Sequence, residues 1–365
     1  MSAKPSDLFL ERTRRGRDEQ FVASFGVLAA AVGLTVSATA RQDAKQDTKK
    51  DTKAEKKDAP KTPAGPTPTM EAVPYGPHPR QVLDFYQAKS GSPTPVVFCI
   101  HGGGWVNGSK DGYRGAAKRY LDNGLSVVAI NYRMVPEAAD KGIDPPVKWP
   151  LEDAARALQF VRSKAKEWNI DKVRIGATGG SAGGCSSLYL LFHDDMADPK
   201  SEDPVAREST RLFCAAVDGA QTTLDPKVLK EWMPNYTYGG HAFAITGPDG
   251  KRDAGFATFH AKRDELLPKI NMYSPMAHVT KDDPPVFLYY GGYATVKKDG
   301  KDEKVASATV KGESKPDPTH APLLGAILME KLQAEKLDAI LVYPGHPHEK
   351  YKSSADYLID RLKAK

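Results

Sequence analysis

From residue 71 onward, short continuous apolar runs alternate with stretches of helical periodicity, and this rhythm narrows the folds open to the chain more than any other feature. Val96–Ile100 (VVFCI) and Ser126–Tyr132 (SVVAINY) are apolar without alternation, as strands buried on both faces are. Between them, residues near Tyr113–Asn123 read as a helix, and Leu151–Ala165 places Leu151, Ala155, Leu158 and Val161 on one helical face. The pattern continues with strands at Val173–Ala177, Phe213–Val217, Val286–Tyr290 and Ala339–Tyr343. Helices are expected at Ala182–Phe192, Pro322–Leu337 and Ser354–Lys363. Repeated strand–helix units imply a mostly parallel sheet covered on both sides, with its function at the carboxyl ends of the strands.

Two segments precede that body. Phe21–Ala40 is free of charge, follows Arg12, Arg14, Arg15 and Arg17, and ends in Ala38-Thr39-Ala40. A basic start, an apolar middle and an A-x-A finish are the marks of an export signal over residues 1–40, cleaved near Ala40. An uncleaved membrane anchor is the rival reading, and then the leader alone would touch a membrane. Residues 41–70 alternate Lys, Asp, Thr and Ala before turning Pro-rich, which suits a disordered linker with nothing to bury. The folded domain is expected over residues 71–365.

Charge excludes one class of partner. The first 70 residues hold 13 Lys/Arg and 9 Asp/Glu of the chain's 52 and 46, so the remaining body is close to neutral. No nucleic-acid partner is expected of such a surface. Cys99, Cys185 and Cys214 lie in apolar or small-residue settings without CxxC spacing and read as buried hydrophobes, not as metal or redox groups.

Two glycine-rich motifs carry the chemistry. Gly179-Gly180-Ser181-Ala182-Gly183 is a G-x-S-x-G pattern between a strand and a helix. A sharp strand-to-helix turn lifts its central hydroxyl above the sheet and needs small residues two before and two after it. The second motif, His101-Gly102-Gly103-Gly104-Trp105, follows the first apolar strand. Consecutive glycines let backbone N–H groups approach a developing oxyanion without a Cβ in the way. Gly103, Gly104 and Ala182 are therefore the expected oxyanion-hole donors and Ser181 the nucleophile. A phosphate-binding turn is the competing interpretation, but no GxGxxG or Lys-Ser/Thr follows. His101 is expected to order its loop.

HGGGW, then Asn131-Tyr132-Arg133-Met134-Val135-Pro136-Glu137, then GGSAGG, taken in order, resemble the α/β-hydrolase fold. The similarity is to its hormone-sensitive-lipase-like and acetyl-esterase (carboxylesterase) group and covers about residues 73–365. It implies an eight-stranded, mostly parallel sheet with helices on both faces. It also implies a Ser–His–acid triad acting on carboxylic esters without a cofactor or metal. Asp153 matches a recurrent position of that group and reads as structural, a charge near a helix start.

The base and the acid are less direct. In the resembling group a Tyr-Pro-Gly run is followed by the histidine, which best matches His348, with His346 as the second candidate. The other histidines, His320 among them, have no comparable context. The group's acid should follow the strand at Phe287, but the residues there are Gly292-Tyr293-Ala294-Thr295, and neither Ala294 nor Thr295 can hold an imidazole. Three possibilities stay open. The acid moves to Asp218, at the end of Phe213–Val217; or the insertion Lys297–Pro318 supplies Asp299, Asp302, Glu303 or Asp317; or there is no acid.

The functional expectation is an exported serine hydrolase that cleaves a small or polysaccharide-linked ester through an acyl-enzyme. A catalytically weak or inactive binding protein on the same scaffold is the alternative, and a serine peptidase of the same fold a third. Between Asp225 and Pro275 the regular pattern loosens and aromatics gather, from Trp232 to Phe259. They would either shape the substrate pocket or form a satellite core.

Overall fold

Thr94–Ile100 (β3) is buried at every position, and its side chains divide by parity between two cores. Phe98 and Ile100 pack on one face of the sheet, and Val97 and Cys99 on the other. This period-2 division explains the unbroken apolar run, since a strand with both faces covered has no solvent side to mark with polar residues. The computed structural model describes residues 65–248, 250–291, 293–298, 300–306 and 309–364. The chain divides into two units, Met1–Ala59 and Pro60–Lys365. The expected export signal, and the linker as far as residue 64, lie outside the described residues.

The other strands are β1 (Met70–Pro74), β2 (Val82–Tyr86), β4 (Ser126–Ile130), β5 (Ile170–Gly180), β6 (Cys214–Asp218), β7 (Val286–Tyr289), β8 (Tyr293–Lys298), β9 (Lys301–Ala306) and β10 (Ala339–Val342). Eight of them form one sheet in the order β1-β2-β4-β3-β5-β6-β7-β10. The pairs β1–β2 and β2–β4 are antiparallel and the rest parallel. The expected α/β architecture with an eight-stranded, mostly parallel sheet is what the chain forms. β8 and β9 make a separate antiparallel hairpin after β7, overlapping the start of the expected insertion Lys297–Pro318.

Nine helices are found among the described residues: α1 (Arg114–Leu121), α2 (Val135–Asp140), α3 (Lys148–Ser163), α4 (Ala182–Phe192), α5 (Pro226–Trp232), α6 (Phe256–Ala261), α7 (Arg263–Tyr273), α8 (Pro322–Ala334) and α9 (Ser354–Lys363). α3, α4 and α8 cover one face of the sheet, and α1 and α9 the other. α4, lying against β5, is buried along its whole length, as its uninterrupted small and apolar sequence requires. The aromatics between Trp232 and Phe259 join the larger core, with Phe243 and Phe259 stacked at 5.1 Å.

Asp153 has a role other than a charge at a helix start. It is 1% exposed, grips Arg133 through several hydrogen bonds of 2.6–3.0 Å, and accepts another from Gln81 Nε2 at 2.8 Å. Arg133 in turn lies 4.3 Å over the Trp149 ring. Asp153 therefore anchors the Asn131–Glu137 segment to α3 as a paired buried charge.

Candidate active site

At the junction of β5 and α4, Ser181 adopts φ 53° and ψ −124°, a region that costs a non-glycine residue about 1–3 kcal/mol. The surroundings hold it there. Its N–H donates to the carbonyl of Asp218 at 2.9 Å, and its own carbonyl accepts from Cys185 N–H at 2.9 Å. A Cβ on Gly179 would fall 2.4 Å from the carbonyl carbon of Gly183, and one on Gly183 would fall 2.0 Å from the Ile100 carbonyl oxygen. The small residues flanking the serine are thus demanded by the closeness of helix, turn and β3.

The glycine loop after β3 is built to leave amides free. Gly103 and Gly104 have φ of +98° and +64°, a left-handed backbone that favours glycine. The Gly103 carbonyl accepts from the amides of Val106 and Asn107, and the Gly104 carbonyl from His241 Nε2 at 2.9 Å. Trp105 is fully buried and donates from Nε1 to Ser186 Oγ at 3.0 Å, which pins the loop to α4. The N–H groups of Gly103, Gly104 and Ala182 enter no hydrogen bond among the described residues. For Ala182 this follows from its place at the start of α4.

His101 lies beneath this loop, stacked on Tyr132 at 4.2 Å, with its Nδ1 2.8 Å from the Gly102 carbonyl. Burial pushes its pKa down to about 4, so the ring is neutral at ordinary pH. It orders the loop, as expected.

The imidazole that meets Ser181 is that of His320. Its Nε2 lies 2.9 Å from Ser181 Oγ, and its Nδ1 lies 2.7 Å from Asp317 Oδ2. With the proton on Nδ1, His320 donates to the carboxylate and accepts from the serine hydroxyl. His320 and Asp317 stand together at a single turn, Pro318–His320 with Asp317 before it, in the segment between β9 and α8. The bond from His320 lowers the Asp317 pKa, and the amides of His320 and Thr319 add to that shift.

Two expected residues lie elsewhere. His348 accepts at Nδ1 from the amides of Lys350 and Tyr351 and stacks on Tyr351 at 5.0 Å, in the loop between β10 and α9. His346 stacks on Tyr343 in the same loop. Among the described residues neither ring has a contact with Ser181, whose hydroxyl is met by His320 instead.

Asp218 contributes only its backbone carbonyl to the serine. On β6 the side chains of Ala215 and Val217 face the α4 side, whereas Cys214 and Ala216 face α1 and α9. By the same alternation the carboxyl of Asp218 belongs with α9, on the side of the Ser354 hydroxyl, which acts to lower its pKa. Burial raises its pKa to about 6, against the opposing effect of that hydroxyl. Of the insertion's acidic residues, Asp299 lies outside the described residues, as do the side chains of Asp302 and Glu303; Asp317 is the one found on an imidazole.

One sequence signal could have found the pair: Asp-Pro-Thr-His immediately before the Pro-initiated helix α8, an acid and a histidine at the spacing of one tight turn. A cavity of about 390 Å³ adjoins the glycine loop, lined by Val106, Val135, Pro136, His241 and Ala244 among others. Among the described residues no group of three or more His, Cys, Asp and Glu is arranged to hold a metal ion.

Comparison with known proteins places these residues in a wider setting. Residues 83–297 match the model of the family described as BD-FAE. The probable carboxylic ester hydrolase LipM of Mycobacterium tuberculosis is 36% identical over 210 residues, which are 54% of this chain and 40% of that protein. Esterase LipI of the same organism is 25% identical over 209 residues, 56% of this chain and 57% of its own length. Gut esterase 1 of Caenorhabditis elegans is 36% identical over 124 residues, 33% of this chain and 22% of that protein. The matched regions thus span less than two thirds of these relatives.

Among solved structures, a truncated carbohydrate esterase from gut microbiota superposes with a TM-score of 0.58 at 18% identity, over 83% of this chain and all of that one. The acetyl ester-xyloside bifunctional hydrolase of Caldicellulosiruptor lactoaceticus gives 0.52 at 23% identity, over 73% and 77%. At these identities the likeness is one of fold.

Proposed function

Since the chain belongs to the BD-FAE family of hormone-sensitive-lipase-like α/β-hydrolases, we propose that it is a serine carboxylesterase working through an acyl-enzyme. The observation that carries this reading is the 2.9 Å contact between His320 Nε2 and Ser181 Oγ, with Asp317 behind the ring.

Ser181 Oγ attacks the ester carbonyl carbon while His320 Nε2 takes its proton. The carbonyl oxygen becomes an oxyanion, and the uncommitted amides of Gly103, Gly104 and Ala182 are the donors suited to receive it. Collapse breaks the bond to the alkoxy oxygen, which leaves as the alcohol with the proton from His320. Water then attacks the acyl-enzyme with His320 again as base, releasing the carboxylic acid and restoring the serine. Asp317 holds the ring in the tautomer that leaves Nε2 free to accept, and its charge stabilises the transient imidazolium.

The basic, apolar and A-x-A segments of residues 1–40 support an exported enzyme cleaved near Ala40. An exported esterase of this group would act on small esters, such as acetyl or aryl groups carried by polysaccharide. Hydrolysis of p-nitrophenyl acetate by the purified protein, measured beside Ser181→Ala, tests the proposal. Turnover in the parent and none above background in the variant is expected; equal rates would refute it.

A further inference from the structure

The serine of the site is fixed by the sheet, but nothing comparable fixes its histidine. Asp317 and His320 sit on a three-residue turn whose side chains are 62% and 40% exposed, and no side chain caps that turn. What holds it comes from the segment that follows β6. Gln221, itself fully buried, donates from Nε2 to the carbonyl of Thr319 at 2.8 Å, one residue before His320. Asn235 donates to the carbonyl of Lys315 at 2.7 Å and accepts from the Lys315 amide at 3.0 Å, two residues before Asp317. Gly312 N–H reaches the Trp232 carbonyl at 2.9 Å, and Thr222 Oγ1 bonds the Leu324 carbonyl beyond the turn. At Gly219 a Cβ would stand 3.3 Å from His320 Cβ, so the turn lies directly on this segment.

From this arrangement we infer that Gln221 and Asn235 are positioning residues for the His320–Asp317 pair, an inference that rests on the esterase reading above. Neither reaches the reacting atoms. Gln221 sets the backbone height of the turn through Thr319. Asn235 uses both ends of its amide on one residue, as a neighbouring strand would, and so sets the turn's register. Displacing a general base by about 1 Å costs on the order of 100-fold in rate. The two side chains therefore govern turnover while leaving ester binding to other parts of the site.

The test uses the full chain with Gln221→Met, which keeps length and apolar volume but removes the donor, and Asn235→Asp, which removes the donor and keeps the acceptor. Lys311→Ala, a change on the same loop that breaks an exposed pair with Glu330 of α8, is the control. With p-nitrophenyl acetate, Gln221→Met should lower kcat about 10- to 100-fold and Asn235→Asp several-fold, both with KM within about twofold. Labelling by a fluorophosphonate should slow in the same order, with Tm close to the parent and Lys311→Ala unchanged. Should Gln221→Met fail to fold, the solvent-facing Asn235→Asp decides. Parent-like kcat in both variants, a rise in KM with kcat intact, or an equal loss in Lys311→Ala would overturn the positioning role. A parent protein that neither turns over nor labels would instead refute the esterase reading itself.

Discussion

Replacing Asp317 with alanine removes the carboxylate from His320 Nδ1 and leaves the ring held by its backbone alone. The bond is short, 2.7 Å, and charge-assisted. Hydrogen bonds to charged groups contribute about 1.5–3 kcal/mol, and each 1.36 kcal/mol is tenfold in rate, so kcat should fall roughly 10- to 150-fold. That is far less than the approximately 10,000-fold lost when a buried triad acid is neutralised. The reason lies in the surroundings: Asp317 is 62% exposed, so water can enter and accept the Nδ1 proton in its place. Asp317→Asn should fall between the parent and the alanine variant, because the amide oxygen can still accept but carries no charge. Asp218→Asn should leave kcat unchanged, its carboxyl lying on the α9 side of the sheet. Steady-state hydrolysis of p-nitrophenyl acetate at saturating substrate measures all three. Parent-like kcat in Asp317→Ala, or a tenfold loss in Asp218→Asn, would refute the assignment of the acid.

Two further expectations concern the scaffold. Gly183→Ala drives a Cβ to within 2.0 Å of the Ile100 carbonyl oxygen; overpacking of this kind costs about 1–3 kcal/mol, so thermal melting should drop by several degrees and fluorophosphonate labelling should fall with it, whereas a parent-like Tm would contradict the close approach. For Asp218 the folded pKa of about 6 stands above the free value of 3.8, so its stabilising effect is complete below about pH 4 and is lost as pH rises through 6. Asp218→Asn should therefore raise stability by about 1–2 kcal/mol at pH 8, after allowing for partial exposure, and hardly at all at pH 4; melting shifts equal at the two pH values would contradict this.

The parts of the site that were legible in the sequence are those fixed by neighbours along the chain. Gly179, Ser181 and Gly183 fall within five residues, and the collisions that demand glycine at the flanks are inherent in any strand turning sharply into a helix. The HGGGW loop is likewise local to the end of β3. The central strands read clearly because both of their faces are buried. β1 and β2 did not: β1 is mostly exposed or half-buried, and β2 carries the buried Asp84, paired with Lys110, in its middle. The His320–Asp317 pair escaped for a different reason. The β8–β9 hairpin separates β7 from the Asp317 turn, so counting from the strand reached Ala294 and Thr295 instead. Nothing in the residues around His320 announces that Gln221 and Asn235, some 100 and 80 positions earlier, hold its turn in place. His348 kept the sequence neighbourhood of a catalytic histidine, but its ring is engaged by Lys350 and Tyr351 of its own loop.

The most direct measurement is the rate at which a fluorophosphonate modifies the intact protein, with the adduct located by mass spectrometry in the parent, His320→Ala and His348→Ala. The adduct is expected on Ser181 in the parent and in His348→Ala at similar rates, and to be lost or slowed at least 100-fold in His320→Ala. Undiminished labelling of His320→Ala, or its loss in His348→Ala, would show that a different imidazole activates the serine.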